Sequence, residues 1–237
     1  MKYFILILAT IILTSSMGYS KVVTSKHKET QPHRISIGPD LFVVHVHDVK
    51  DSLNNVYYGL KLEYDYLQPD AFYLGMDGLA AFGKLFIGHK SFSNTSLFTN
   101  LDLRSGYTFQ SPICDKSSIA PFVGIGGYYC RAQYDNPSFS DICFYGSTGL
   151  RAIQRFSEFF DVGFNLKALY FFAGAYRVEG EKRRIDNNSW GYEIALPLTW
   201  HNEVKGCDFQ LQPYLLKLDM FERPVILGAR LQTGFNF

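Results

Sequence analysis

The stretch SWGYEIALPLTW, residues 189–200, decides the fold of this chain. Its alternate positions are apolar, from Trp190 to Trp200, and the positions between them include small or polar residues such as Gly191 and Glu193. Alternation with a period of two predicts a β-strand with one apolar and one polar face. Along the apolar face, aromatic residues occupy the two ends and aliphatic residues the middle. This order is expected of a strand that crosses a bilayer, because aromatic rings favour the two membrane–water boundaries.

The same period of two recurs along most of the chain. It is clear in VYYGLKLEYDY and in LFTNLDLRSGYTF, which are residues 56–66 and 97–109. Weaker copies lie near residues 35–47, 71–83, 118–132, 141–153, 158–172, 207–218 and 225–237. No stretch has a convincing helical period. The sequence therefore predicts an all-β fold: a closed antiparallel up-and-down transmembrane β-barrel of about ten strands, with eight or twelve as the alternatives.

A soluble barrel or sandwich would also alternate, with its apolar faces turned inward. The polar faces of this chain argue against that arrangement, because many of their positions hold glycine, for example Gly59, Gly126 and Gly163. Glycine on a water-facing strand surface weakens the strand for little return. Inside a narrow barrel it leaves room for long side chains. We therefore expect the apolar faces to contact lipid and the polar faces to line the lumen.

The N-terminus has the features of a secretory signal peptide. Lys2 precedes an apolar run, and Gly18 and Ser20 are the small residues of a cleavage site after Ser20. The sequence predicts three segments, which are a signal peptide (1–20), a flexible periplasmic lead-in (21–34) and a barrel (35–237). The formal net charge of +1 offers no broad basic field, so nucleic acid is not an expected partner.

The polar faces carry charged residues that we expect to form a network inside the lumen. Its predicted members are Lys61, Glu63, Asp65, Asp77, Asp102, Arg104, Arg151, Asp161, Lys167, Glu193 and Arg230. Counting inward from the strand ends predicts three opposed pairs on neighbouring strands: Asp77 with Arg104, Arg151 with Asp161, and Lys167 with Glu193. Opposed charges stabilise a strand pair, and charges away from bulk water need partners. A mostly filled lumen is expected.

The chain ends in LGARLQTGFNF, residues 227–237. With the signal peptide and the alternating segments, this ending resembles the small outer-membrane β-barrels of diderm bacteria, the broad OmpA- and OmpX-like group. In that group the last strand ends in Phe, and the outer-membrane assembly machinery reads it. The resemblance implies a bacterial outer-membrane location and contact with lipid and lipopolysaccharide. It also implies an assembly signal at Leu227, Leu231, Phe235 and Phe237.

Some barrels of this class are enzymes with His, Ser or Asp at the outer rim. The nearest candidates are His45, His47 and Asp48 in the motif HVHD, where a His–Asp pair could supply a base and its orienting group. No nucleophile is marked, so polarity at the barrel rim is the preferred interpretation and no enzyme is predicted. Two histidines do not make a metal site, and no cofactor is predicted.

Cys130 and Cys143 flank a hairpin, RAQYDNPSFSDI, and an exported protein meets an oxidising compartment. A disulfide between them is one prediction, and two free thiols are the alternative.

Three functions remain open at this stage. The leading hypothesis is a structural or adhesive barrel that displays its loops, one of which carries Lys182, Arg183 and Arg184 and suits a host ligand or lipopolysaccharide phosphates. The second is a narrow porin-like channel for ions or small solutes. The third is an outer-membrane hydrolase or lipid-modifying enzyme.

Overall fold

A computed structural model describes most of the chain. The described residues are 32–47, 52–87, 90–111, 116–133, 138–178, 181–184, 189–202, 207–218 and 224–237. The predicted signal peptide lies outside them. Within these ranges no helix has the length and hydropathy to span a membrane.

Twelve strands form a single sheet. They are β1 (His33–His47), β2 (Ser52–Tyr66), β3 (Ala71–Ile87), β4 (Lys90–Gln110), β5 (Ser117–Gln133), β6 (Ser138–Ser157), β7 (Phe160–Val178), β8 (Glu181–Arg184), β9 (Ser189–Ala195), β10 (Leu198–Asn202), β11 (Cys207–Leu218) and β12 (Val225–Asn236). The first strand begins at His33, two residues before the expected start of the barrel.

The sheet closes on itself because β1 pairs with β12 as well as with β2. The segments β8, β9 and β10 follow one another along a single position of the wall, beside β7, and β9 and β10 also pair with β11. The twelve segments therefore make ten wall positions, all antiparallel. The predicted ten-strand closed barrel is confirmed.

The stretch 189–200 is not one uninterrupted strand, because Pro197 separates β9 from β10. Proline has no N–H to donate to a strand ladder. The wall nevertheless continues through the break: Leu196 N donates to Pro213 O at 3.0 Å, and Gly163 N donates to Pro197 O at 2.6 Å. Trp190 and Trp200 both remain on the outer surface.

The apolar faces point outward around the whole wall. Leu101 and Val123, in the middle of their strands, are 55% and 62% exposed. Soluble monomers rarely leave so large an apolar surface uncovered, whereas a bilayer covers it. We call the end that carries His33 and Phe237 the periplasmic end, since short turns connect the strands there as they do in outer-membrane barrels. The opposite end is the outer end.

Candidate functional site

The inward faces toward the outer end form an aromatic layer. Its members, all buried, are Phe42, Tyr57, Phe98, Tyr128, Tyr145 and Phe171. Their rings contact one another from strand to strand, with centroids 5.1 Å apart for Phe42 and Tyr57 and 5.7 Å apart for Tyr128 and Phe171. Leu169, Leu216, Leu218 and Ile226 complete the packing. The contacting rings fill much of the lumen at this level.

Glycines on neighbouring strands make room for two of these rings. A Cβ atom on Gly83 would lie 2.7 Å from Cδ1 of Tyr57, and one on Gly126 would lie 2.5 Å from Oη of Tyr145. Any side chain at these positions would displace the ring. The glycine-rich polar faces therefore allow aromatic rings to lie across the interior wall.

An ion-pair network occupies the lumen next to the aromatic layer, toward the periplasmic end. Lys61 Nζ lies 2.9 Å from Asp77 Oδ2, and Arg104 Nη2 lies 3.1 Å from Asp77 Oδ1. Lys167 Nζ lies 2.9 Å from Glu193 Oε2. Each of these side chains is at most 14% exposed. The structure places every charged residue that we expected in the lumen on the inner face.

Several ion pairs cross the lumen. Arg151 Nη1 on β6 lies 2.6 Å from Asp65 Oδ2 on β2, and Lys167 Nζ on β7 lies 3.2 Å from Asp102 Oδ2 on β4. Neither pair joins neighbouring strands. Charged side chains that meet from opposite walls leave no open path between them.

Tyrosines and one aspartate extend this network beyond the predicted residues. Tyr145 Oη donates to Asp102 at 2.8 Å, and Tyr214 Oη donates to Asp40 at 3.0 Å. Asp40 follows Gly-Pro, a dipeptide that marks turns, so the sequence signal for a lumen residue is weak there. The sequence does not identify the inward-facing tyrosines, because tyrosine is also common in the lipid-facing aromatic girdle.

One predicted charge pair is wrong. Strand register places Arg151 opposite Asn165, and Asp161 opposite Arg155, to which it is paired at 3.1 Å. The short turn between β6 and β7 sets this register. The turn does not lie where we assumed when we counted inward from the predicted strand ends. Lys167 does lie opposite Glu193.

The Asp77–Arg104 pair forms on a diagonal. Asp77 lies opposite Asp102, and Gly75 lies opposite Arg104. The long arginine side chain covers the offset.

Small cavities remain in the lumen among the described residues, and two of them lie beside the ion pairs. One, of about 30 Å³, lies between aromatic-layer residues and Lys61, Lys167 and Arg230. The other, of about 20 Å³, is lined by residues that include Glu63 and Asn165, and each of these carries a buried oxygen with no hydrogen-bond partner among the described residues. Cavities of this size and polarity suit one or two water molecules each and are too small for a solute.

The catalytic candidates do not come together in a described site. His45 is half-buried near the outer end of β1, opposite Asn54 and Val225, and His47 is the last residue of that strand. Asp48 lies outside the described residues, so the predicted His–Asp pair stays a prediction. No group of His, Cys, Asp or Glu in the described part of the chain could hold a metal ion.

The predicted disulfide is not formed. No disulfide joins Cys130 to Cys143 in the structure, and Cys143 Sγ donates to Asp141 Oδ1 at 3.2 Å. Register places Cys130 opposite Asp141, and Cys143 opposite Tyr128. The two cysteines are therefore diagonal neighbours and do not lie directly opposite each other.

The four residues of the predicted assembly signal share one lipid-facing row at the end of the chain. Leu227, Leu231, Phe235 and Phe237 are each 50–55% exposed. The last residue is held in place, since Phe237 N donates to His33 O at 3.0 Å and the two rings stack with centroids 5.4 Å apart.

Solved structures with this architecture are bacterial outer-membrane proteins. The translocator domain of the autotransporter NalP from Neisseria meningitidis is 8% identical, with a TM-score of 0.52 over 98% of this chain and 95% of that chain. The outer membrane protease OmpT from Escherichia coli is 10% identical, with a TM-score of 0.54 over 92% of this chain and 100% of that one. The transport unit of the autotransporter AIDA-I from Escherichia coli is 9% identical, with a TM-score of 0.50 over 97% and 98%.

No family model matches the sequence, and no curated protein matches it either. At such low identity the solved structures show the fold alone. That fold agrees with the exposed apolar belt and with the outer-membrane location predicted from the sequence. The chain is a ten-strand transmembrane β-barrel with the fold of the bacterial outer-membrane barrels.

Proposed function

We propose that this protein is an integral outer-membrane barrel with a closed lumen, which serves a structural or adhesive role by presenting its outer segments at the cell surface. The observation that carries the proposal is the double closure of the interior. The aromatic layer fills much of one level, and ion pairs such as Arg151–Asp65 cross the next level. Neither cavity has room for a solute.

Planar-bilayer recording tests the closed lumen. Purified barrel should show no steady conductance above the bare bilayer, and liposomes that contain it should not swell in sugar solutions. A steady single-channel conductance of the wild-type protein would favour the narrow channel and contradict the proposal.

Opening the aromatic layer supplies a positive control. The variant Phe98→Ala, Phe171→Ala, Arg151→Ala removes two rings of the layer and a cation that crosses the next level, so it should give a measurable conductance, because removal of large core side chains leaves cavities that relax only in part. The matched control Phe82→Ala removes a ring from the lipid-facing surface of β3, where the side chain is 50% exposed. That variant should show no conductance above the bare bilayer.

The surface role rests on the connections at the outer end, where residues 48–51, 134–137, 179–180 and 219–223 lie between consecutive strands. Cells that display the barrel should bind to immobilised host matrix proteins or to other cells more strongly than cells that carry a variant with residues 134–137 replaced by Gly and Ser. Equal binding, with equal amounts of folded barrel, would remove the adhesive role and leave the structural one.

Outer-membrane barrels in general contact lipid and depend on assembly machinery. We propose the same partners for this chain, with the lipid-facing row of β12 as the assembly signal. The exposed row from Leu227 to Phe237 supports this proposal.

A further inference from the structure

A polar cluster at the periplasmic end joins six consecutive positions of the barrel wall. We call it the periplasmic clasp, and its members are Arg155 on β6, Asp161 on β7, His201 on β10, Asp208 on β11, Asn236 on β12 and Arg34, near the start of β1. The proposed surface function uses none of these contacts.

His201 is the central member of the clasp. Its Nε2 lies 2.8 Å from Asp161 Oδ2, and its Nδ1 lies 2.9 Å from Asp208 Oδ1. An ionised carboxylate only accepts hydrogen bonds, so each ring nitrogen must carry a hydrogen to make both contacts. The imidazole that satisfies this geometry is the positively charged imidazolium.

The contacts continue on both sides of His201. Arg155 Nε lies 3.1 Å from Asp161 Oδ1, on the β6 side. On the other side, Asn236 Nδ2 donates to Asp208 Oδ2 at 2.8 Å, and Arg34 Nε lies 3.8 Å from that same oxygen. These are the charged and polar groups that face His201 and its two carboxylates in the described ion pairs and hydrogen bonds.

The balance of charge in the barrel supports the same protonation state. The ion pairs of the described residues contain eight carboxylates, which are Asp40, Glu63, Asp65, Asp77, Asp102, Asp161, Glu193 and Asp208. They contain seven Lys or Arg side chains, which are Arg34, Lys61, Arg104, Arg151, Arg155, Lys167 and Arg230. A His201 imidazolium supplies the eighth positive charge. It contacts two carboxylates, Asp161 and Asp208, that are themselves buried and need a partner.

The clasp lies at a short strand of the wall. β10 pairs with β11 over all five of its residues but with β7 over three residue pairs, and Pro197 separates it from β9. The nearby β12–β1 closure also skips Gly38 and Pro39 in its register. Side-chain bonds from β10 to both of its neighbours therefore add to a backbone ladder that is short on the β7 side.

We propose that the His201 imidazolium is a pH-sensitive clasp that keeps β10 in the barrel wall, and that loss of its proton loosens the periplasmic end of the barrel. Deprotonation turns one ring nitrogen into an acceptor that faces a carboxylate oxygen, so one of the two bonds becomes a repulsion. The folded barrel binds this proton more tightly than the unfolded chain does. The stabilisation is thus fully present below about pH 6.5, the ordinary histidine value, and is lost as the pH rises.

Nuclear magnetic resonance of the histidine ring nitrogens tests the protonation state directly. In full-length barrel labelled with ¹⁵N in its histidine rings, one histidine should still show two protonated nitrogens at pH 8, where an ordinary histidine is mostly neutral. The variant His201→Gln should lack that signal. A neutral His201 ring at pH 8 in the wild-type protein would overturn the proposal, whatever the variants do.

Unfolding kinetics test the consequence. Wild-type barrel in lipid vesicles should unfold in urea roughly tenfold faster at pH 9 than at pH 6, since a hydrogen bond to a charged group contributes that order of stabilisation. His201→Gln should unfold fast at both pH values. His33→Gln is the matched control, because His33 lies at the same end but bonds Tyr64 Oη outside the clasp, and it should keep the wild-type pH dependence. A His201→Gln barrel with the wild-type pH dependence would refute the clasp.

Discussion

The guanidinium of Arg230 lies over the ring of Tyr214, with Cζ 3.7 Å from the ring centroid. The same arginine is 3.1 Å from Asp40 and 3.0 Å from Glu193, and Tyr214 donates to Asp40. Four side chains on four strands thus form one contact group inside the barrel. Such groups give the lumen its rigidity, because each member satisfies a charge or hydrogen bond of another.

Replacement of Arg230 should therefore be costly. Arg230→Ala removes a cation that contacts the carboxylates of Asp40 and Glu193 inside the barrel. We expect a loss of about 3–5 kcal/mol in the free energy of unfolding. Tyr214→Phe keeps the ring under the guanidinium and removes one hydrogen bond to a charged group, so its loss should be about 1.5–3 kcal/mol. Urea unfolding in vesicles measures both. Equal stability of Arg230→Ala and wild type would show that the lumen network contributes no stability.

Replacement by alanine should destabilise the barrel at one glycine and leave its stability nearly unchanged at another. Gly126→Ala places a Cβ atom 2.5 Å from Tyr145 Oη and 2.6 Å from the Leu101 carbonyl oxygen. Tyr145 must then move away from Asp102 or the backbone must shift, and we expect a loss of about 1–3 kcal/mol. Gly146→Ala is the matched control on the adjacent strand, because its Cβ atom would meet nothing within 4 Å. That change should alter stability by less than about 0.5 kcal/mol. Similar losses in the two variants would mean that the close approach to Tyr145 does not decide the cost.

Loss of the last residue should impair assembly. Deletion of Phe237 removes a backbone bond and a ring stack with His33, and it shortens the exposed row of β12. We expect less folded barrel in outer-membrane fractions, measured by the change in gel mobility on heating. Phe237→Tyr keeps an aromatic ring and should assemble normally. Normal insertion of the deletion variant would contradict the assembly signal.

Thiol labelling should distinguish the cysteines. Cys143 is 1% exposed, so a maleimide should label it only after the barrel unfolds, whereas the half-buried Cys207 should react earlier. Single-cysteine variants, in which the other cysteines are replaced by Ser, separate the two rates. A non-reducing gel of the wild-type protein checks the free thiols, and a faster-migrating oxidised band lost in Cys143→Ser would contradict them.

Much of the fold can be predicted from the sequence because alternation is a local property. Alternate residues of a strand face the lipid, and the residues between them face the lumen. The order of aromatic and aliphatic residues from Trp190 to Trp200 shows which of the two faces meets the bilayer. For the same reason, the lumen charges could be identified one strand at a time. Asp40 follows Gly-Pro, a dipeptide typical of turns, so the alternation of apolar and polar residues is unclear there. The sequence therefore does not identify Asp40 as a lumen residue.

Partner choice inside the barrel required the tertiary structure. If the turn between two strands lies a few residues from its assumed position, every residue of one strand faces a different residue of the other. Arg151 accordingly does not lie opposite Asp161 on the neighbouring strand, and it contacts Asp65 across the lumen. The contacts of His201 likewise depend on three strands meeting at one end of the barrel. The sequence alone determined a membrane barrel and its two faces, because both follow from a period of two. Closure of the sheet decided which charges meet, because only closure brings distant strands within side-chain reach.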